Sequence, residues 1–376
     1  MKLQQWIKQN QLGLLFQQGS FGLEKESQRI DENGNIVTTL HPAVFGNRAY
    51  HPYIQTDFAE SQLELITPPN NKLEDSLRWL SAIHEVVLRS LPEQEFIFPF
   101  SMPAGLPPES AIQEAQLDNV EDVKYREHLS QNYGKYKQMV SGIHYNFQLS
   151  PEFVKAVFSL QNEYTELKDF QNALYMKLAN NFLRYQWILV YLRAAMVEAN
   201  YFSRNGVENS PLAAGQLVRS LRSSPYGYVN SPDVVVNHDS LKSYVETLEE
   251  QVKAGRLIAE KEFYSNVRLR GAKKARELLE KGVQYAEFRL FDLNPFEPYG
   301  ISLSDAKLIH SFLLGMLWLD ETGGQKEVEL GKQRLYQVAL EDPREPTVFQ
   351  AEGEAVLHQI IEMLKTINAD ESVVKV

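Results

Sequence analysis

Hydrophobic and polar residues alternate along several stretches of the chain, and a period of two is typical of β-strands that bury one face. In "GIHYNFQL" the alternation is complete, with aliphatic and aromatic side chains on one face and His144 and Asn146 on the other. An Asn33-Gly34 pair is a strong hairpin signal, so we expect "IVTTL" to fold back on the strand before it. The predicted strands are 21–30, "LELIT", 142–149 and 283–291.

Helical spacing of apolar residues predicts helices elsewhere. Residues 73–91 place Leu73, Leu77 and Leu80 on one side, and residues 304–319 form a strongly apolar run. The region 151–200 is also helical in pattern, and "AVLHQIIEMLKTI" predicts an amphipathic helix near the C-terminus. Because the predicted strands and helices come in blocks rather than in strict alternation, the pattern indicates an α+β fold with an antiparallel sheet.

The composition of the 376 residues narrows the class of protein. Hydrophobic residues make up 43% of the chain, which is enough for a buried core, and no linker or repeat divides it, so we expect one large domain. The net charge of −11 argues against a general nucleic-acid binder, which needs a basic surface to neutralise phosphates. The absence of cysteine excludes disulfides, thiolate metal sites and cysteine nucleophiles.

Several familiar sequence signals are missing. "MKLQQWIKQNQLGLL" has no long apolar segment or cleavage site of a secretory signal, and Arg184 and Arg193 interrupt the most apolar stretch. We therefore expect a cytoplasmic protein that does not bind or span a membrane. No P-loop, G-x-G-x-x-G, H-E-x-x-H or G-x-S-x-G motif occurs, so a nucleotide would have to be bound by other means.

Ionisable residues recur on the polar faces of the predicted strands. Glu24 and Glu26 are two positions apart, so they share one face about 7 Å from each other, and Glu287 and Arg289 repeat this spacing. If these strands and the one with His144 pair in one sheet, the side chains meet on one surface. A solvated outer face is the simpler explanation for any single strand. Several such strands together favour an oxygen-rich site for Mg²⁺ or Mn²⁺, which would offset the carboxylate repulsion.

Other segments could complete such a site. "TDFAESQLELITPP" carries Asp57, Glu60 and Glu64, which share a side in a helix, whereas a strand pairs only Glu60 with Glu64. Arginine suits phosphate or carboxylate because its fork binds paired oxygens, although an isolated arginine more often forms a surface ion pair. The segments that carry arginine beside tyrosine contain Tyr125 and Arg126, then Arg222 and Tyr228, then Tyr264, Arg268 and Arg270.

Six runs together resemble the bacterial glutamate–cysteine ligase family: "FGLEKESQRI", "HPYIQTDFAESQLELITP", "SMP", "YGKYKQMVSGIHYNF", "SLRSSPYGYVN" and "AEFRLFDLNPFEPYGI". They occur in the family's order and cover about residues 15–300. The resemblance implies a glutamine-synthetase-like fold, a curved antiparallel sheet that forms a funnel with helices packed outside. It also implies that ATP cleavage drives formation of an amide between the γ-carboxyl of glutamate and the amine of cysteine, the first step of glutathione synthesis.

The resemblance also implies roles for individual residues. The implied metal ligands are Glu24, Glu26, Asp57, Glu60, Glu64, His144 and Glu287, with Glu64 favoured within its acidic run. Arg289 would contact the transferred phosphoryl group, with Arg222 and Tyr228 beside it in the catalytic set. The implied substrate-binding residues are Phe58, Tyr125, Arg126 and Tyr264. The partners are then glutamate, cysteine and ATP, with Mg²⁺ or Mn²⁺ as cofactor.

The C-terminal part departs from the family pattern. Only 87 residues follow Arg289, fewer than in stand-alone members, and "FGLEKESQR" is closer in wording to the ligase half of bifunctional glutathione synthases. We expect a single catalytic domain over 1–376, without room for a second ATP-grasp domain. A related ligase that uses another amine and a non-catalytic metal-binding relative both stay open, as do the oligomeric state and the residues of the nucleotide-side wall.

Overall fold

The computed structural model describes residues 2–103, 105–193, 195–204, 215–321 and 323–370. The strands are β1 Gly19–Ile30, β2 Ile54–Thr56, β3 Gln62–Ile66, β4 Phe96–Ile97, β5 Ile143–Leu149, β6 Val197–Glu198, β7 Leu217–Val218, β8 Val267–Arg270 and β9 Tyr285–Phe291. The helices are α1 Leu3–Gln9, α2 Gly13–Phe16, α3 Leu73–Ser90, α4 Val120–Tyr133, α5 Lys135–Gln138, α6 Pro151–Phe158, α7 Leu167–Tyr185, α8 Trp187–Arg193, α9 Tyr201–Arg204, α10 Leu241–Lys253, α11 Glu277–Lys281, α12 Leu303–Trp318, α13 Gly324–Leu340 and α14 Gln350–Thr366. Short 3₁₀ turns cover Ala43–Phe45, Glu109–Ala111 and Glu260–Glu262.

One antiparallel sheet organises the fold. Its strand order is β2-β3-β1-β5-β9-β8, β4 pairs with the end of β1, and β6 and β7 pair separately. The sheet is open, and every pairing in it is antiparallel. The predicted α+β class with an antiparallel sheet is confirmed. Strands that lie far apart in the sequence become neighbours, because residues 19–30 pair on one side with 62–66 and on the other with 143–149.

The register of the strands groups their polar positions. Glu24 lies opposite His144, and Glu26 lies opposite Glu64. On the next pair of strands, Glu287 lies opposite Asn146. Because residues directly opposite each other point to the same side of an antiparallel pair, these side chains emerge on one face. The period-two pattern of each strand therefore builds one polar surface out of four separate segments.

The other face of the sheet is apolar and packs on helices. Tyr145, Phe147 and Phe288 are each fully buried. Phe182 of α7 packs edge-on against Phe288 with ring centroids 4.6 Å apart. Truncation of such a buried aromatic typically costs about 3–5 kcal/mol, so this packing holds the sheet in place beneath the polar face. Behind α7, α12 is capped by Ser302, whose hydroxyl accepts a hydrogen bond from the Asp305 backbone N–H at 3.0 Å.

Most predicted elements are confirmed, and one is wrong. The "LELIT" run is a strand, and the predicted helices at 73–91 and 304–319 are α3 and α12. The expected hairpin strand "IVTTL" is reduced to a single bridge between Ile30 and Ile36. Its later carbonyls have another partner, since those of Thr39 and Leu40 accept hydrogen bonds from Arg29 at 2.9 and 3.0 Å. Within the described ranges, the helices are too short or too polar to cross a membrane.

Candidate active site

His144 sits between two carboxylates on the polar face of the sheet. Its Nδ1 lies 2.9 Å from Glu24 Oε2, and its Nε2 lies 3.2 Å from Glu26 Oε1. Asn146 donates from Nδ2 to the other oxygen of Glu24 at 2.8 Å. The imidazole is 3% exposed, so these contacts form largely out of solvent. The sequence-predicted residues of two separate strands are therefore brought into direct contact.

Glu287 extends the cluster toward the arginines of β8 and β9. Its Oε1 lies 3.5 Å from Arg289 NH1 and 3.8 Å from His144 Nδ1, while Arg270 donates from Nε to Oε2 at 2.5 Å. Glu287 is 2% exposed. Burial raises its pKa, but Arg289 and Arg270 outweigh burial and hold the pKa well below the usual range. We call Glu24, Glu26, Glu64, His144 and Glu287 the acidic floor.

Glu64 completes the acidic floor from β3, but its surroundings are mostly negative. Burial and then the charge of Glu24 raise its pKa well above the usual value. The pKa of Asp57, beside β2, is raised by burial and by Glu26. Grouped carboxylates of this kind cannot all ionise without a compensating positive charge. The metal-free site therefore favours uptake of a cation or of protons.

The donor set of the floor fits a divalent cation. Glu24, Glu64 and His144 each offer one ligand atom, and these atoms lie within 4.8 Å of one another. Carboxylate oxygens with an occasional imidazole suit Mg²⁺ or Mn²⁺. Burial and Arg289 lower the pKa of His144, but its contacts with Glu26 and Glu24 raise it to about 9. His144 therefore has to release a proton before either ring nitrogen can bind a metal.

Two cavities meet at the acidic floor. We name them the Glu64 cavity, of about 510 Å³, and the Tyr264 cavity, of about 760 Å³, after a residue that lines each one alone. Both volumes fall within the usual range for small-molecule sites. The residues that line both cavities are Glu26, Asp57, Gln138, His144, Tyr228, Arg268 and Arg289. A molecule in either cavity therefore reaches the same group of side chains.

The Glu64 cavity is polar and carries charges of both signs, with the carboxylates of the acidic floor facing a group of cationic side chains. Its cationic side chains are Arg48, Arg126, Lys261, Arg268, Arg270 and Arg289. Of the residues with predicted substrate-binding roles, Phe58, Tyr125 and Arg126 line this cavity. Arg126 donates from Nε to the backbone carbonyl of Asp57 at 2.9 Å, so it also fixes the chain beside that acid.

The Tyr264 cavity combines aromatic, apolar and cationic lining. Tyr228 and Tyr264 stack with ring centroids 3.5 Å apart, and Arg222 lies nearby on the cavity wall. The Arg222 guanidinium donates to the backbone carbonyls of Leu290 and Arg289 at 2.7 and 2.6 Å, which ties it to β9. Gly142 leaves space for this arginine, because a Cβ there would lie 2.4 Å from the guanidinium.

Glu60 does not join the acidic floor, which corrects the expectation that it belongs to the metal ligands. Its carboxylate forms an ion pair with Arg48 and accepts backbone hydrogen bonds from His41 and Gln116, both at 2.6 Å. Glu60 is 1% exposed and lines neither of the two cavities. With these donors its negative charge is compensated inside the protein. Asp57, by contrast, lines both cavities.

Sequence reasoning missed several cavity residues. Arg48 and Lys261 lie in segments without strand or helix periodicity, and Gln138 ends the short helix α5. Nothing in the local sequence distinguishes them from ordinary surface residues, since only the tertiary fold brings them to the cavities. Arg268 and Arg270 were expected only as arginines near Tyr264, but they carried a stronger signal, because they alternate with apolar residues in "NVRLRG" as the floor residues do in their strands.

Comparison with known proteins decides the family. The glutamate-cysteine ligase family model matches residues 4–256 and 249–336. The chain belongs to the glutamate–cysteine ligase family. It is 68% identical over 372 residues to the glutathione biosynthesis bifunctional protein GshAB of Pasteurella multocida, and 64% identical over 377 residues to the protein of that name from Mannheimia succiniciproducens. These alignments cover 98% and 100% of this chain and 49% of each relative.

Solved structures of the family agree in fold. The crystal structure of a bifunctional glutathione synthetase from Pasteurella multocida matches 99% of this chain and 49% of that chain, with a TM-score of 0.93 and 66% identity. A Francisella tularensis glutamate–cysteine ligase, crystallised in complex with AMP, matches with a TM-score of 0.82 and 26% identity over 95% of this chain and 80% of that one. The chain spans about half the length of its bifunctional relatives.

Proposed function

We propose that this protein is an ATP- and Mg²⁺-dependent glutamate–cysteine ligase that forms γ-glutamylcysteine, the first step of glutathione biosynthesis. The observation that carries the proposal is the acidic floor itself. Three strands from distant parts of the chain bring Glu24, His144 and Glu287 into contact beside Arg289. Candidate metal ligands beside an arginine are the groups that stabilise a phosphoryl group during transfer between two bound substrates. Membership of the glutamate–cysteine ligase family supports the same chemistry.

The charges of the two cavities suggest which substrate each one binds. We assign the nucleotide to the Glu64 cavity, because the candidate metal ligands Glu24 and Glu64 line it beside arginines such as Arg289, and a polyphosphate binds through both a divalent cation and arginine. We assign glutamate and cysteine to the Tyr264 cavity, where Arg222 can face a carboxylate and Tyr228 and Tyr264 offer aromatic surface. The floor then lies between the γ-phosphate of ATP and the γ-carboxylate of glutamate. AMP in the Francisella tularensis relative is in keeping with a nucleotide substrate.

The acidic floor would hold the divalent cation. Glu24, Glu64 and His144 have ligand atoms close enough together, and Glu26, Asp57 and Glu287 are further oxygen donors around them. When bound, Mg²⁺ supplies positive charge that neutralises phosphate oxygens and holds them in line for transfer. Binding would also relieve the repulsion between Glu64 and Glu24.

In the proposed reaction, an oxygen of the glutamate γ-carboxylate attacks the γ-phosphorus of ATP and the bond to ADP breaks. The cysteine amine then attacks the carbonyl carbon of the resulting γ-glutamyl phosphate, and phosphate and a proton leave. Burial lowers the pKa of Arg289, but Glu287 and then Glu26 raise it above the usual value, so its charge is secure during transfer. We propose that Arg289 neutralises the transferred group while Arg222 and Tyr228 position the amino acids.

The reaction can be tested without knowing the amine in advance. Phosphate release is measured with glutamate, ATP and Mg²⁺ and a panel of amines that includes cysteine, 2-aminobutyrate and glycine. Cysteine-dependent phosphate release with formation of γ-glutamylcysteine supports the proposal. Preference for another amine would indicate a sister ligase, and no amine-dependent release would refute the activity.

Isotope transfer tests the route. Glutamate labelled with ¹⁸O in its γ-carboxyl should give inorganic phosphate that carries one labelled oxygen, because that oxygen bridges carbon and phosphorus in the intermediate. Unlabelled phosphate with product still forming would refute the acyl-phosphate route.

We also propose that residues 1–376 form one catalytic domain, since the central sheet draws its strands from residues 19–291. The proposed location is the cytoplasm, where ATP is available.

A further inference from the structure

The aromatic wall of the Tyr264 cavity is carried by two loops. Tyr228 lies in residues 225–236 and Tyr264 in residues 263–266, and neither segment contains a helix or strand. The two rings nevertheless stack closely, with a centroid distance of 3.5 Å and an interplanar angle of 29°. Loops without backbone ladders need other contacts to hold two rings in fixed register.

Asn230 supplies one set of these contacts. Its Oδ1 accepts a hydrogen bond from the backbone N–H of Tyr264 at 2.5 Å, and its Nδ2 donates to the backbone carbonyl of Glu262 at 3.0 Å. The same Nδ2 lies 3.2 Å from the hydroxyl of Tyr133 in α4. One side-chain amide, two positions after Tyr228, therefore bonds directly to the segment that carries Tyr264.

Glu262 links helix α4 to the two loops that carry Tyr228 and Tyr264. Its carboxylate accepts hydrogen bonds from the Tyr133 hydroxyl at 2.7 Å and from the Ile258 backbone N–H at 2.6 Å, and His128 Nε2 lies 3.2 Å away. Glu262 is 1% exposed, so these bonds form out of solvent and are strong for their kind. Tyr133 and His128 both belong to α4, so Glu262 links this helix to the loop that carries Tyr264. The helix is itself anchored in the protein by the buried side chain of Leu129.

The segments joined in this way each supply a tyrosine to the cavities. Tyr125 comes from α4, Tyr228 from the first loop and Tyr264 from the second. We propose that Asn230 and Glu262 form a clamp that positions the Tyr228–Tyr264 pair as the wall against which the amine substrate binds. Glu262 lines neither cavity, so it is a positioning residue, whereas Asn230 lines the Tyr264 cavity and its amide is bonded to Tyr264 and Glu262. The inference rests on the proposed ligase function and extends it to two residues outside the acidic floor.

If the clamp positions only the wall for the amine, clamp variants should change the KM for cysteine more than the KM for the other substrates. Glu262→Gln replaces one acceptor oxygen by a donor, so the side chain can no longer accept from Ile258 and Tyr133 together. A loosened wall should weaken cysteine binding in ground state and transition state alike, raising its KM about tenfold with little change in kcat. The KM values for ATP and glutamate should change much less, because the acidic floor and Arg222, which is bonded to β9, do not depend on the clamp.

Four further variants test the role of the clamp. Tyr133→Phe removes one donor to Glu262 without changing packing, so it should raise the KM for cysteine in the same direction by a smaller factor. Asn230→Ala should act like Glu262→Gln, and the double variant should be less than additive because both break one unit. Asp305→Asn is the matched control, since the Asp305 carboxylate, 6% exposed, accepts a hydrogen bond from the Ser302 backbone N–H at the start of α12, outside both cavities.

The outcomes distinguish the possibilities. A selective rise in the KM for cysteine in the clamp variants, absent in Asp305→Asn, supports the proposal even if all variants melt earlier. Equal changes for all three substrates, or a lower Tm with unchanged KM values, would overturn it. Tyr133→Phe keeps the test valid if the stronger variants fail to fold. A wild-type protein without cysteine-dependent phosphate release would refute the ligase function itself, and the clamp's role with it.

Discussion

Glu60 and Glu64 lie four positions apart in one acidic run, but the structure gives them opposite surroundings. The Glu60 carboxylate meets donors, namely Arg48 and the backbone N–H groups of His41 and Gln116. Glu64 instead faces other acids, and burial together with the charge of Glu24 raises its pKa. A carboxylate surrounded by donors is already neutralised, whereas one among like charges is destabilised until a cation arrives.

The electrostatic surroundings of a carboxylate, rather than its mere presence, distinguish a structural anchor such as Glu60 from a candidate metal ligand such as Glu64. Glu60 holds the loop of Arg48 and the segment of Gln116 together. Glu64 lies in β3 opposite Glu26, where the register places it on the acidic floor. Substitutions at the two positions should therefore affect different properties: activity and metal dependence at Glu64, and stability at Glu60.

The largest expected effect is the loss of activity in Glu64→Gln. The amide keeps the volume but removes a charge that the proposed Mg²⁺ site requires, so kcat/KM should fall by about 10²- to 10³-fold at moderate Mg²⁺. The measurement is turnover against Mg²⁺ concentration, with Glu60→Gln as control. Normal Mg²⁺ dependence in Glu64→Gln, or a loss of equal size in Glu60→Gln, would contradict the distinction.

Arg289→Lys should cause the second-largest loss of activity. Lysine keeps the positive charge but loses the planar fork, so kcat and kcat/KM should fall together by about 10- to 100-fold if the contact is made only in the transition state. The measurement is steady-state kinetics with each substrate varied in turn. A change confined to the KM for cysteine would instead place Arg289 at the amine.

Glu60→Ala should act on stability. Removal of the carboxylate leaves Arg48 and two backbone donors without their partner, so the free energy of unfolding should fall by about 3 kcal/mol. Urea unfolding of the folded variant gives the number, and the Mg²⁺ requirement of the remaining activity should match wild type. An unchanged stability would show that the Glu60 contacts are not anchoring ones.

The smallest expected effect is a pH dependence of the metal-free protein. Because the folded pKa of Glu64 is raised, the native state binds more protons than the unfolded chain above the ordinary glutamate pKa. The contribution of Glu64 to stability therefore falls as pH rises through that raised pKa. Glu64→Gln cannot titrate, so its advantage in stability over wild type in EDTA should grow as pH rises from the ordinary glutamate pKa toward neutral pH. Saturating Mg²⁺ should abolish the difference.

The central sheet and most of the acidic floor could be predicted from the sequence. Alternation in "FGLEKESQRI", "LELIT", "GIHYNFQL" and "AEFRLF" predicts that the polar faces carry Glu24, Glu26, Glu64, His144 and Glu287. In the structure these four strands pair so that the five side chains lie on one face of the sheet. Local pattern sufficed here because a strand fixes the direction of each side chain relative to its neighbours. The same logic failed for Glu60, which lies in the turn before β3, where no period fixes its direction.

The sequence alone predicted the four strands that carry the acidic floor, the residues on their polar faces and, through resemblance, the family. The tertiary structure decided which charges compensate each other: Glu60 with Arg48, His144 between Glu24 and Glu26, and Glu287 between arginines. It also brought Asn230 and Glu262 together from loops 32 residues apart. Electrostatic and hydrogen-bond energies depend on distances of a few ångströms between groups remote in the chain, and those distances exist only once the chain has folded.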